Sequence, residues 1–426
     1  MNNQRGTRKA GDLDTRFGDQ GWINMNHLPS LSAIVTTRVS PDGALVVLTH
    51  NAQLPGYQVS KFLPDGTLDP TFGTGGVKED VHPSGRPRVS LELAEDKILV
   101  FAAHEGSLML ARYDDHGQPD QAFGPDGKVF VALDDVLSRE KDDVVVSFAP
   151  LAEHALEERT GEKIPNYSGG GIVTAGIDNR WFVAFSARFT DARLPLSVLL
   201  CLTSEGAVEL SFNRSGYVVI DLAGEERNMN FPLQLQVQRN GENRGKPLLT
   251  VDRNLIGSPP VNSILVRRLS SGEPDYDFGP KGSPLLPINR NELSDYPYLI
   301  LGADDDFKLA GLNAGGEQSL ATVRAYNADG KTDPTFNNGE LWVSPSHPAG
   351  SRWVSGVATG AGENFRLVVS GVTNDEAEVR IGRVDGAAQP DPAFGEGGIS
   401  RFANRPPSTL LSGAKGVSEI LCSGIT

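Results

Sequence analysis

The chain has 426 residues, a formal net charge of −15, 38% hydrophobic residues and two cysteines. A body this acidic disfavours nucleic acid or an anionic membrane as its main partner, because both repel it. Cys201 and Cys422 are too few for a disulfide framework or a Cys-rich zinc site, and they fit small apolar roles in a reducing compartment.

Residues 1–14 carry charges and no apolar core, so no secretory leader is expected. The longest apolar run, Leu194 to Leu202, is too short to span a bilayer. Cytoplasmic residence is the default expectation, with leaderless export left open. At Gly11 a signature begins, G-x2-[DE]-x2-F-[GN]-x2-G, which recurs seven times along the chain. Its aromatic anchors are Phe17, Phe72, Phe123, Phe212, Phe278, Phe336 and Phe394. Three residues before each stands Asp14, Asp69, Asp120, Glu209, Asp275, Asp333 or Asp391, and Gly or Asn follows. Only Gly and Asn share ready access to positive φ, so the following position reads as a left-handed turn residue. The acid suits a turn whose backbone N–H groups it can accept. The Phe, the one large apolar group there, is expected to plug inward between neighbouring units.

Successive anchors lie 55, 51, 89, 66, 58 and 58 residues apart. Each interval holds four short runs rich in β-branched and aromatic residues, in the first case 21–26, 32–39, 44–50 and 57–63. Turn signals such as Pro41-Asp42-Gly43 and Pro64-Asp65-Gly66 separate them. This pattern predicts an all-β protein, a seven-bladed β-propeller of four-stranded antiparallel blades in a single domain. The blades are expected at about 18–66, 73–117, 124–206, 213–272, 279–330, 337–386, and 395–426 with 1–11. Only three strands fit after Phe394 (398–402, 408–413 and 418–425), so residues 3–9 are expected to complete the last blade and close the ring. Lys61, Arg112, Arg267, Arg268, Arg324 and Arg383 end the predicted fourth strands, where a cation would guard an outer edge. The long third interval carries an insertion at 136–170. Leu151–Thr160 within it has helix-forming composition, and Tyr167–Gly171 reads as a flexible return.

The segments Asp65-Gly66-Thr67-Leu68-Asp69-Pro70-Thr71-Phe72-Gly73 and Tyr326–Phe336 resemble the consensus of the delta-60 repeat family, bacterial proteins with a propeller-like repeat. The resemblance covers nearly the whole chain. It implies an architecture and no catalytic residues. Glu209, Asn213, Asn337 and a shifted Gly339 depart from the pattern.

Function is less legible. An Arg follows six anchors by 11–16 residues: Arg86, Arg139, Arg227, Arg290, Arg352 and Arg405. Similar loops also carry His27, His82 and His347, and two of them are near copies, His82-Pro83-Ser84-Gly85-Arg86 and His347-Pro348-Ala349-Gly350-Ser351-Arg352. In a propeller all these loops join first and second strands on one face, where a basic rim would gather an anion. Ion pairing within the blades is the structural alternative. On the other face Asp42, Glu95, Asp96, Asp178 and Asp304 to Asp306 occupy hairpins that suit either turn geometry or Ca²⁺, without EF-hand spacing. HExxH and GxSxG are absent, the Gly241 to Lys246 segment falls short of a phosphate loop, and Trp22, Trp181, Trp342 and Trp353 occupy different phases of the repeat. The expectation is a non-enzymatic interaction scaffold for another protein or a small anionic ligand, with no cofactor or metal. A carbohydrate-binding propeller, and a hydrolase or lyase with its site in the central channel, are the alternatives.

Overall fold

The computed structural model describes residues 10–403 except 24–30, 52–54, 84, 86, 95, 105, 138–143, 146–171, 190–195, 221–227, 256–261, 281–282, 289–292, 314–318, 361 and 376. Within these, the chain folds into antiparallel up-and-down sheets, the blades of a β-propeller. The first sheet runs β1 (Leu31–Val39), β2 (Leu45–Asn51), β3 (Gly56–Phe62) and β4 (Val77–Val81). The second runs β5 (Arg88–Ala94), β6 (Lys97–His104), β7 (Ser107–Tyr113) and β8 (Lys128–Ala132). After helix α1 (Leu133–Leu137) and the short β9 (Val144–Val145) comes the third, β10 (Val173–Ile177), β11 (Arg180–Phe189), β12 (Leu196–Thr203) and β13 (Tyr217–Ile220), with β9 paired to β11. The fourth is β14 (Asn228–Val237), β15 (Pro247–Leu255), β16 (Asn262–Arg267) and β17 (Leu285–Pro287). The fifth is β18 (Ser294–Leu301), β19 (Phe307–Asn313), β20 (Leu320–Tyr326) and β21 (Trp342–Val343). The sixth is β22 (Ser351–Thr359), β23 (Arg366–Thr373), β24 (Glu378–Val384) and β25 (Ile399–Ala403).

There are thus six sheets among the described residues, not seven. The predicted strands at 3–9, 408–413 and 418–425 lie outside those residues. The run at 398–402 does not begin a seventh sheet; as β25 it pairs with β24 and ends the sixth. The same shift of phase applies to all six sheets. The strand after each anchor from Phe72 to Phe394 returns antiparallel to the strand before it, as β4 does to β3, so these signatures are hairpins inside one sheet. Sheet-to-sheet connections are instead the segments such as 82–87. The cations at Lys61, Arg112, Arg267 and Arg383 therefore sit on or beside third strands, flanked on both sides, and do not guard an edge. Lys78, Lys128 and Arg401 occupy the outer strands β4, β8 and β25 in their place.

The described chain divides into two compact units. The larger, residues 28–63 and 68–290, holds the first four sheets. Its first strands meet in succession, β1 with β5, β5 with β10, and β10 with β14. Apolar side chains of adjacent sheets interdigitate around Phe72, Phe123 and Phe212, each at most 3% exposed. Leu133, Val136 and Leu137 of α1 join the core beside Phe123, and Tyr217 Oη donates to Leu137 O at 3.0 Å. The insertion is therefore anchored where it starts; its Leu151–Thr160 stretch lies outside the described residues. The smaller unit, residues 1–27, 64–67 and 291–426, holds the last two sheets, packed around Phe336 and Phe394.

One backbone contact joins five of the seven signatures to the next, the last of them to the first. Gly73 N–H donates to His116 O at 2.7 Å and Asn213 N–H to Ser271 O at 2.6 Å, in each case the residue before the next signature's leading glycine. In the smaller unit Gly18 N–H reaches Asp65 O and Asn337 N–H reaches Ala387 O, and Gly395 N–H of the last signature donates to Ala10 O at 2.8 Å. The donor needs a left-handed backbone, with φ of 52° at Gly18, 55° at Gly73 and 51° at both Asn213 and Asn337. Gly279 departs from this and bonds instead to Ser283 O within its own loop.

Candidate functional site

The signature carboxylates look catalytic by their repetition, and the structure gives each a turn to hold. In all seven units a carboxylate oxygen accepts the N–H two residues onward, from Arg16, Thr71, Ala122, Ser211, Asp277, Thr335 and Ala393 at 2.9–3.2 Å. The second oxygen meets a cation eight residues earlier. Arg112 Nε lies 2.9 Å from Asp120, Arg267 Nε 2.8 Å from Asp275, Arg383 Nε 2.9 Å from Asp391 and Lys61 Nζ 3.5 Å from Asp69. The three guanidinium groups also stack on the anchors Phe123, Phe278 and Phe394 at 4.3–4.6 Å. A further cation at the head of the second strand joins some clusters, Lys246 at 3.0 Å from Asp275 and Arg366 at 3.4 Å from Asp391.

These partners set the acidity of the carboxyls. Burial raises Asp120, but the Ala122 N–H, Arg112 and Lys97 outweigh it and leave the group below the usual carboxylate range. Asp391 follows the same balance with Ala393, Arg383 and Arg366, and Asp69 with Thr71 and Lys61. Groups held ionised in this way are poor proton shuttles.

Two units solve the cation problem differently. The equivalent third-strand position is Cys201 in the third sheet, where burial pushes the thiol up to about 12. Glu209 there is lowered by the Ser211 hydroxyl, the Ser211 N–H and Arg180. In the fifth sheet the position is Ala325, and its cross-strand partner Lys308 supplies the charge. Burial brings that ammonium down to about 8, against Asp333 and Asp304, and it lies 4.6 Å over the Phe365 ring.

At the opposite end of each sheet, where first strands start, lie the described sheet-to-sheet connections. Arg86, Arg139, Arg227, Arg290, Arg405 and His27 fall outside the described residues. His82, His347 and Arg352 are described. They stand in sheet-to-sheet connections or at the start of β22, rather than between the first and second strands of one sheet. Both near-copy loops close with the same turn, Gly85 N–H to His82 O at 3.2 Å and Gly350 N–H to His347 O at 2.8 Å. His347 Nδ1 accepts the Ala349 N–H, which leaves its Nε2 to carry the proton of the neutral ring. His82 is buried, and burial, His104 and Lys128 lower it to about 4.

Sequence spacing did not reveal what supports these loops. Arg380, 1% exposed, braces the His347 loop by donating to Ser351 Oγ at 2.9 Å and Pro345 O at 3.1 Å. Beneath the His82 loop, Tyr57 Oη meets Tyr113 Oη at 2.7 Å, Tyr113 Oη donates to Asp80 at 2.5 Å, and Lys128 Nζ donates to Asp80 at 2.6 Å. A third network crosses the first strands β1, β5 and β10. Arg38 donates to Glu92 at 3.0 Å, Thr174 Oγ1 donates to Glu92 at 2.8 Å, and Ser90 Oγ lies 2.8 Å from Thr174 Oγ1.

The acidic hairpins join first and second strands of their sheets, not second and third. Asp42 accepts from Ser40 and Ala44 within its turn, Asp178 pairs with Arg244, and Asp306 pairs with Lys308. Glu95 is outside the described residues. None of the four Trp side chains is exposed: Trp342 stacks on Trp353 at 6.2 Å, Trp181 packs edge-on to Phe101, and Trp22 edge-on to Phe402.

No protein-family model matches the chain, and no curated protein is significantly similar to it. Solved structures similar to it include the polysaccharide lyase Uly1 at 10% identity, covering 95% of this chain and 85% of that one, with a TM-score of 0.43. The β-propeller domain of the Trilobed protease from Pyrococcus furiosus matches at 10% identity over 89% and 85%, TM-score 0.40. An apocarotenoid oxygenase from Synechocystis matches at 10% over 91% and 75%, TM-score 0.42. Likenesses this distant say nothing about chemistry.

Proposed function

We propose that the protein is a non-enzymatic interaction scaffold that binds another protein or a small anionic ligand through the loops at the strand-start end of its sheets. The observation that carries this reading is the division of labour along each sheet. The repeated acids are committed to turns and cations at one end, while His82, His347 and Arg352 stand in variable connections at the other. Variable loops on a rigid scaffold are where recognition residues concentrate. The Asp375 carboxyl is held below its usual range chiefly by the Thr373 hydroxyl and the Ala377 N–H, so an anion stands at the same end of the sixth sheet as the Arg352 guanidinium. Such a surface suits a partner with both charges better than a bare phosphate.

The test is capture of partners from the native cell by immobilised protein, comparing wild type with an Arg352→Ala, His347→Ala double variant. Weaker recovery at an unchanged melting temperature supports the reading; an identical recovered set refutes it. The same reading ties the N-terminal segment to the last sheet, which the Gly395–Ala10 bond supports. Removing residues 1–22 should then loosen the sixth sheet, where Leu13 and Trp22 pack beside Phe394. An unchanged melting temperature after that truncation would remove this part of the proposal.

A further inference from the structure

The structure joins two histidines that the sequence keeps apart. His82 lies in the connection between β4 and β5, and His104 ends β6 in the neighbouring sheet of the same unit. Their ring centroids are 5.8 Å apart with the planes tilted by 39°. We propose that His82 and His104 form a two-imidazole site for a borderline divalent transition-metal ion of the Zn²⁺ or Co²⁺ type. An ion bonded to one nitrogen of each ring at roughly 2.0–2.1 Å would set the ring centres roughly 5–6 Å apart.

The surroundings are shaped to hold the pair. Gly85 has φ of 139°, and a Cβ there would lie 2.6 Å from His104 Nε2, so only glycine lets the loop rest against that ring. His82 is 1% exposed, which fixes its ring by packing. The Asp134 carboxylate rests on Gly106, in the hairpin that His104 begins, and brings negative charge to the same end of the sheet. Lys128, a cation that acts on His82, is paired with Asp80 at 2.6 Å. Two protein nitrogens leave coordination positions for water or an incoming anionic group, which is the layout of an open rather than a purely structural ion site. This inference stands apart from the scaffold reading, since the ion could bind whether or not the loops recognise a partner.

The exposed group Asp114, Asp115 and His116 also gathers three donor atoms within 4.8 Å and serves as the internal control. Zn²⁺ is titrated calorimetrically into the full chain, and Co²⁺ is followed by visible absorption, for wild type, His82→Asn, His104→Gln and His116→Asn. One ion per chain is expected, weakened at least ~10-fold by either His82→Asn or His104→Gln and unchanged by His116→Asn. Should His82→Asn fail to fold, the half-buried His104→Gln decides alone. Binding lost only in His116→Asn, equal in wild type and His104→Gln, or absent from wild type would overturn the site.

Discussion

The two ends of a single sheet differ in how closely their polar groups repeat from one sheet to the next. At the signature end a Phe, a carboxylate, a cation and a left-handed Gly or Asn form a closed set, repeated with small substitutions from unit to unit. At the strand-start end the described connections share at most the turn common to His82 and His347: one begins with the short helix α1, one sets His82 against His104 of the next sheet, and one is braced by a buried arginine. Repetition marks what the fold needs of every sheet, and irregularity marks where a surface is free to differ.

The largest break in that contrast should come from emptying an anchor seat. Phe72→Ala or Phe336→Ala should cost about 3–5 kcal/mol in urea unfolding, whereas Phe17→Ala should cost clearly less because Phe17 is only half-buried. Next comes the ion cluster. Asp275→Ala leaves Arg267 buried without its carboxylate and should cost about 3–5 kcal/mol, while Asp14→Ala, whose partner Arg16 is 82% exposed, should cost far less. Equal losses at Asp275 and Asp14 would mean the clusters are surface decoration.

Acid should act on the same end. Asp69, Asp120, Asp391 and Glu209 titrate lower in the folded chain than in the unfolded one. Their stabilisation is therefore present above the unfolded value near pH 4 and is lost as pH falls through the folded values. The unfolding midpoint should drop steeply below about pH 4, and Asp391→Asn should flatten part of that drop. A smaller effect concerns Cys201. With its thiol pushed up to about 12 in a fully buried site, it should resist thiol reagents at neutral pH until the chain unfolds, as mapped by mass spectrometry.

Much of the signature end was readable because its chemistry is local. The Asp-to-N–H bond spans two residues and the anchor lies three residues on, so spacing alone exposes both. The cation was equally visible at a fixed eight residues before the acid, in Lys61 with Asp69, Arg112 with Asp120, Arg267 with Asp275 and Arg383 with Asp391. It was misread because the strand phase was misread. A short polar strand such as Val77–Val81 looks alike whether it opens a new sheet or closes the previous one, and only pairing with β3 decides. The meeting of His82 with His104 and the bracing of Pro345 and Ser351 by Arg380 depend on how neighbouring strands and sheets dock, which no spacing rule encodes.

Pairing partner recovery with melting temperature in the Arg352→Ala, His347→Ala double variant probes the division between the two ends most directly. The account predicts that recovery falls while stability stays within about 0.5 kcal/mol of wild type. Unchanged recovery, or a loss of fold on the scale of Phe72→Ala, would contradict it.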